Sequence, residues 1–522
     1  MKKIINKYLS GLLFIVSFSS CENFLDTKPL DKLSPQTFFQ TEAQLDAGLT
    51  ATYDALSKGA TYGYSFATRY ATEADEGFFY STSRKTGPQF YDFTSSDAEV
   101  LSTWTALYNG ISRANLVLEN VDKPVMDETT RKEIKGQALF LRAYYYFLLV
   151  MNWGDVPLIL KTTESVEGNS IPRSSSAQVY EQITKDMIEA EALVPSAAKL
   201  GFGGRVSKSA VRGILARVYL YWAGYPLKNK AKYEDVRFWA KKVMDDIETK
   251  HKLSTSYEDV FIKYAKDQYD IGESIFEVEF SLKGTWEHGQ IGSWIGIRST
   301  SDKIGTAYGF IGTTAKLYKL YKTGDLRRDR AISPFYYDAN GNEILFSTTQ
   351  LSRRYPGKWR RAEEEAKPKR SQNTPINFPI LRFSDVLLMF AEADNEINNG
   401  PTNDAYDAIN KVRRRAYGLD VNTISNTVDL QNMDYTTFLL ELKDERSREL
   451  CFEALRKYDL IRWNDIEFVL NDMKREVLAT ESATYNYVAL SYANFDRSKH
   501  TLLPIPLNDM SLNKMLTQNP GY

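Results

Sequence analysis

Between Arg131 and Pro157 the chain reads RKEIKGQALFLRAYYYFLLVMNWGDVP, and its apolar positions recur at steps of three and four. Ile134, Ala138, Leu141, Tyr145 and Leu148 draw one stripe along a helix, and Phe140, Tyr144, Phe147 and Met151 draw a second. A helix apolar on two sides has to lie between neighbours, so this segment predicts the central post of a helical stack. Small Ala138 and Ala143 admit a close partner and the aromatics fill the space beside them. Gly154 and Pro157 end it.

The same period predicts the neighbours. Thr41 and Glu42 read as the start of a helix that buries Leu45, Leu49, Tyr53 and Leu56. Trp104, Leu107, Tyr108 and Ile111, set against Ala138, Arg142 and Phe147, approximate the tetratricopeptide pattern of paired helices. Ala177 to Val194, Ser207 to Ala223 and Tyr233 to Thr249 extend the stack. Later, Leu381 to Gly400 predicts a helix capped by Ser384 and stopped by an Asn-Gly pair, followed by Asp404 to Tyr417 and Phe438 to Trp463.

Two stretches break the period. From Gly59 to Ser102 the chain is rich in Gly, Ser, Thr and rings, Tyr62, Tyr64, Phe66, Tyr70, Phe78, Phe79, Tyr80, Phe90, Tyr91 and Phe93 among them, which need a core or a ligand to cover them. From Ile271 to about Pro379 turn residues interrupt every pattern. Ser274 to Leu282, SIFEVEFSL, alternates as a strand, and Asn340-Gly341 reads as a hairpin turn. The basic run Arg353 to Arg370, broken by Glu363 to Glu365, reads as a solvated loop. The expected fold is therefore mostly α, a tetratricopeptide-like helical-pair scaffold with an irregular, loop-rich binding lobe holding a few short strands. Its divisions are a signal segment 1–20, an N-terminal helical region 21–270, and a C-terminal region 271–522 that includes a loop-rich insertion 271–380.

Composition narrows the function classes. With 522 residues and 43% hydrophobic positions the chain can bury a large core, and a net charge of -1 argues against a nucleic-acid partner. Lys2, Lys3 and Lys7 precede the short apolar run Leu9 to Phe18, an export signal too short to remain as a membrane span. Phe18, Ser19 and Ser20 then lead into Cys21, which resembles a bacterial lipoprotein cleavage box, so Cys21 is the expected lipidation site. Two acyl chains on one cysteine anchor a protein stably. The other cysteine, Cys451, lies in an apolar helical pattern and reads as a small core residue.

Catalytic patterns are thin. His251, His288 and His500 are far apart, and neither HExxH nor GxSxG occurs. Gly201 to Gly204 ahead of Ser207 fails the spacing of a phosphate loop, and Ser207 reads as a helix cap. Glu392 and Glu396 stand one helical turn apart, the minimum for a glycosidase acid pair, but such spacing is common on helices. No Asp-x-Asp-x-Asp-Gly calcium loop is present; no metal and no cofactor are expected.

Motifs spread over the chain carry a resemblance. Phe24-Leu25-Asp26 after Cys21, Gly154-Asp155-Val156-Pro157, Gly204-Arg205-Val206, Leu381-Arg382-Phe383 with Asp385 and Ala391-Glu392-Ala393, Glu445-Arg446-Arg448-Glu449-Leu450, Arg462-Trp463, Pro504-Ile505-Pro506 and the closing Gln518 to Tyr522 are similar to the SusD/RagB family of Bacteroidetes surface lipoproteins. The resemblance implies non-catalytic capture of an oligosaccharide or glycan at the outer face of the outer membrane, with a lipid anchor. It also implies delivery to a SusC-like TonB-dependent transporter, over which the helical face would sit as a lid. Some relatives carry peptides, so a peptide-binding module is the alternative.

Sugar rings present flat apolar faces on which Trp and Tyr can stack, with polar groups at the edges for the hydroxyls. By residue type and position, Phe79, Tyr80, Arg84, Trp286, Trp294 and Tyr308 are the expected ligand-binding residues. Each ring is also a candidate for ordinary core packing.

Overall fold

The computed structural model describes residues 38–71, 74–80, 85–162, 170–282, 289–369, 372–480 and 488–522. Cys21 and the signal segment, Arg84 and Trp286 lie outside the described residues.

Among the described residues six long helices build the first half. α1 (Glu42–Ser57), α2 (Ala98–Asn120), α3 (Glu128–Trp153), α4 (Ser176–Leu193), α5 (Lys208–Ala223) and α6 (Lys232–Met244) pack each against the next. α3 is the post that its two stripes predicted: every residue from Gly136 to Val150 is buried. Its ends follow local chemistry. The Asp127 side chain accepts from Thr130 N–H at 2.9 Å, and Gly154 leaves the helix at φ +71°, a conformation cheap only for glycine. Thr41 caps α1 and Ser207 caps α5, as the sequence indicated. Arg142, an apparent break in the apolar pattern, is buried but satisfied by Asp186 at 2.8 and 2.9 Å and by Asn115 at 3.0 Å. Helix α6 stops at Met244, short of the expected Thr249, because Asp246 turns the chain by accepting the N–H groups of Glu248 and Thr249.

Beyond it come α7 (Tyr257–Lys266), α8 (Ile291–Trp294), α9 (Phe383–Asn398), α10 (Asn403–Ala416), α11 (Tyr435–Leu450), α12 (Arg456–Arg462) and α13 (Ile466–Thr480). Helix α9 packs on α6 and α10, so the stack runs on through the second half. Among the described residues three two-stranded antiparallel ribbons accompany it. β1 (Gly77–Phe79) pairs with β3 (Ile311–Thr313), β2 (Ser274–Val278) with β6 (Phe378–Arg382), and β4 (Phe335–Tyr337) with β5 (Glu343–Leu345). The β4–β5 turn holds Gly341 at φ +82°, at the expected Asn-Gly.

Three expectations from periodicity need correcting. Ser384 is not the cap of α9. Residues 378–382 are drawn into pairing with β2, so the helix starts at Phe383, and Ser384 instead accepts from Arg382 Nη1 at 2.7 Å. Phe438 to Trp463 is not one helix, because Phe452 and Ala454 adopt left-handed φ of +62° and +60° and separate α11 from α12. The Phe452 N–H freed by this kink donates to Glu76 at 3.0 Å. Finally, the basic run 353–370 is not simply solvated. Arg354, Lys358 and Arg361 are buried, Lys358 Nζ lying 2.6 Å from Glu453 and Arg361 Nε 3.0 Å from Glu364.

Lys358 joins a buried ionic lattice under α11. Glu449 accepts from Arg327 at 3.1 Å, Arg382 at 2.9 Å and Arg415 at 2.5 Å, while Glu445 accepts from Arg327 at 2.6 Å and Arg448 at 2.8 Å. Burial would raise both carboxyls; the surrounding guanidinium groups outweigh it, bringing Glu445 down to about 2 and Glu449 lower still. These charges fix how the loop segments seat on the helices. Cys451 is buried beside the lattice, and burial pushes its thiol up to about 11.

Candidate functional site: an aromatic platform

After α1 the chain makes two short π-helical turns, Gly59–Gly63 and Phe66–Tyr70, a geometry frequent at functional sites. They bury Tyr62, Phe66 and Tyr70 in the core and leave Tyr64 half-buried at the surface. The insertion comes to meet it. Gln290 N–H donates to Gly63 O at 2.8 Å, which sets α8 beside Tyr64, and the Trp294 indole stacks on the Tyr64 ring at 4.8 Å and 23°.

The chain then returns along α8. Tyr308 N–H donates to Ser293 O at 2.7 Å and Phe310 N–H to Trp294 O at 2.9 Å. Phe310 meets Trp294 edge to face at 5.0 Å and stacks on Tyr308 at 5.0 Å and 11°. It also stacks on Phe79 of β1 at 5.5 Å and 20°. Phe79 is buried at the base of this group, and Tyr64, Trp294, Phe310 and Tyr308 are half-buried. Hydrogen-bonded backbone fixes the points from which these rings project.

Of the residues expected from sequence, Phe79, Trp294 and Tyr308 come together. Tyr80 does not. Strand alternation turns Phe78 and Tyr80 to the face opposite Phe79, where they meet each other at 6.1 Å over the core formed with Leu460, Leu470 and Tyr492. Arg84 and Trp286 fall outside the described residues. Sequence reasoning did not select Tyr64 and Phe310, although both were visible as rings in the aperiodic stretches. It missed Arg69 entirely. The Arg69 guanidinium lies 4.8 Å from the Phe79 ring centre and 4.9 Å from that of Trp294, with its Nε 3.5 Å from Glu99.

Just before β1, Asp75 and Glu76 are both buried. Burial would raise Asp75, but Arg456, bound to both its oxygens at 2.7 and 2.8 Å, brings it down to about 2. Glu76 has no such partner, and burial pushes it up to about 8 despite the Phe452 N–H.

The acid pair weighed above is structural. Glu392 is fully buried, holding Arg462 at 2.8 Å and Trp463 Nε1 at 2.8 Å, and Glu396 accepts from the Tyr435 hydroxyl at 2.7 Å. Among the described residues no cluster of His, Cys, Asp and Glu is placed to hold a metal ion, and no helix is long and apolar enough to cross a membrane. A separate groove of about 780 Å³ lies on the helical stack between α6 and α9, lined by Arg212, Arg237, Phe238, Lys241, Asp245 and Asp394. Its walls mix both charges around two phenyl rings, Phe238 and Phe390.

The architecture has clear counterparts. A crystal structure of a SusD homolog from Bacteroides thetaiotaomicron superposes with a TM-score of 0.85 at 28% identity, covering 94% of this chain and 98% of that one. A laminarin-binding SusD-like protein gives 0.72 at 25% identity over 92% of this chain and 100% of that one. In sequence, SusD-like protein P25 of Formosa agariphila is 24% identical, covering 98% of each chain. The starch-binding protein SusD of Bacteroides thetaiotaomicron is 23% identical, covering 100% of this chain and 99% of its own. Residues 23–220 match the family model described as starch-binding associating with outer membrane, and residues 336–522 match the SusD family model. Trp294 and Tyr308 lie between the two matched regions, and with the two matches covering most of its length the chain belongs to the SusD family.

Proposed function

We propose that this protein is a cell-surface glycan-binding lipoprotein, anchored through Cys21 in the outer membrane and facing outward, that captures an oligosaccharide without cleaving it. The captured chain passes to a SusC-like TonB-dependent transporter. One observation carries the binding role: Tyr64, Trp294, Phe310 and Tyr308, from two segments more than two hundred residues apart, form a rigid set of partly exposed rings. Such a set matches the flat apolar faces of pyranose units. Arg84 and Trp286 remain proposed ligand-binding residues by residue type and sequence position alone.

The names of two relatives, one starch-binding and one laminarin-binding, make glucose polymers the first ligands to try. The test is titration of the mature protein with soluble starch and with laminarin, alongside a mixed peptide library, with the products analysed. Binding of a glucan without release of shorter fragments is expected. The double substitution Trp294→Ala, Tyr308→Ala should weaken it at least tenfold, since stacking rings are worth about 1–3 kcal/mol each in comparable contacts. Peptide binding alone would replace the reading with the carrier alternative, and fragment release would make the protein an enzyme.

A further inference from the structure

The platform is held from beneath by a charge. Arg69 is only 4% exposed, so it does not reach a ligand in the open. It projects from the second π-helical turn into the space between Phe79 and Trp294, rings that belong to β1 and α8. Its guanidinium carbon is almost equally distant from the two ring centres, 4.8 and 4.9 Å, and Glu99 in the first turn of α2 approaches its Nε at 3.5 Å.

A buried cation is an expensive way to fill a slot between two rings, where an aliphatic side chain would pack at no desolvation cost. What a guanidinium adds is direction. Its positive charge is attracted to the face of each ring, which favours one orientation of both. Trp294 is then fixed between Tyr64, on which it stacks, and this cation, while the edge contact from Trp294 to Phe310 and the stack from Phe310 to Tyr308 carry the orientation outward.

We infer that Arg69 is a positioning residue of the platform: its charge, clasped by Phe79 and Trp294, fixes the indole plane and through it the half-buried rings beyond. This rests on the platform reading for its purpose, but the geometry it asserts exists without ligand and is tested without one. The full mature chain is labelled with 5-fluorotryptophan, and the Trp294 resonance is assigned by its loss in Trp294→Phe. In Arg69→Met, which keeps the stem and removes the charge, the Trp294 resonance should shift and broaden. Arg69→Lys, which restores the charge, should recover most of the native signal, and Glu99→Gln should lower the melting temperature without moving it.

The affinity for whichever of starch or laminarin the native protein binds should fall about tenfold in Arg69→Met and recover in Arg69→Lys. An unchanged Trp294 resonance in Arg69→Met overturns the inference. So does an equal change in Glu99→Gln, which would assign the effect to the ion pair. If Arg69→Met does not fold, Arg69→Gln takes its place, planar but uncharged, with the same expectations. Failure of the native protein to bind either glucan would count against the platform reading and leave the resonance to decide the role of Arg69.

Discussion

Glu76 offers a quantitative check on how the platform is seated. Its carboxyl is 2% exposed, Oε1 accepts the Phe452 N–H at 3.0 Å, and Oε2 is buried with no hydrogen-bond partner among the described residues. Its backbone carbonyl receives Thr314 N–H at 3.2 Å, so one residue ties the start of β1 to the end of β3 and to the kink between α11 and α12. Burial is the main reason its pKa rises from 4.5 to about 8, and Asp75 adds to it, while the Phe452 N–H, Arg456 and Lys358 oppose it. The folded state therefore holds this proton more tightly than the unfolded chain. Stability from it is fully present below about pH 4.5 and is lost as pH rises toward about 8.

At about 1.4 kcal/mol per pH unit the loss approaches 3 kcal/mol by neutral pH and roughly 5 kcal/mol at completion. Glu76→Gln keeps the shape and the acceptor for Phe452 but cannot ionise. Urea unfolding of both proteins at about pH 5, 7 and 9 should show the native protein losing stability relative to the variant by these amounts, with most of the change before about pH 8. A difference between the two proteins that stays constant across that range would refute the reasoning, because it would mean that Glu76 ionises normally in the fold.

Three further outcomes are expected. Glu449→Ala leaves Arg327, Arg382 and Arg415 with an uncompensated buried charge, and should lower stability by about 3–5 kcal/mol in calorimetry or chemical unfolding; in the native protein the Glu449 contribution is lost as pH falls, since its folded pKa lies below 4.5. Phe140→Ala removes a ring that is fully buried in α3 and stands edge to face against Phe276 of β2; the expected loss is about 3–5 kcal/mol, with glucan affinity unchanged in the folded fraction. Cys451, buried and with its thiol pushed up to about 11, should resist a thiol reagent near neutral pH until urea unfolds the chain, and rapid labelling of the native protein would contradict its placement.

Elements whose character is written in a local period were legible in the sequence. The two apolar stripes on 134–151 dictated a helix buried on both sides, and Thr41, Ser207, Gly154 and the Asn399-Gly400 pair marked helix ends where capping chemistry is local. Wherever a distant partner outbid the local pattern, the reading slipped. Residues 378–382 look like the approach to a helix, yet β2 takes them as a strand. The helical spacing continues through Cys451, but two left-handed residues break it so that a backbone N–H can reach Glu76, far away in sequence. Lys358 and Arg361 look like solvent-facing charges until Glu453 and Glu364 are placed beside them.

The site shows the same division more sharply. Sequence alone determined that many rings lie outside the helical period, and a ring without a helical face to pack on has to be covered by something else. It also determined the family resemblance, carried by motifs along the whole chain. Only the tertiary structure decided which rings meet. Strand alternation sends Phe79 to the platform and Tyr80 away from it, and backbone hydrogen bonds from Gln290 to Gly63 and from Phe310 to Trp294 bring the two aromatic segments into register. Arg69 left no trace in any period or motif, because its role is defined by ring faces contributed by β1 and α8. A period along the chain reports which side of an element is apolar; which groups share a point in space is settled by long-range pairing, and the binding surface is made of such points.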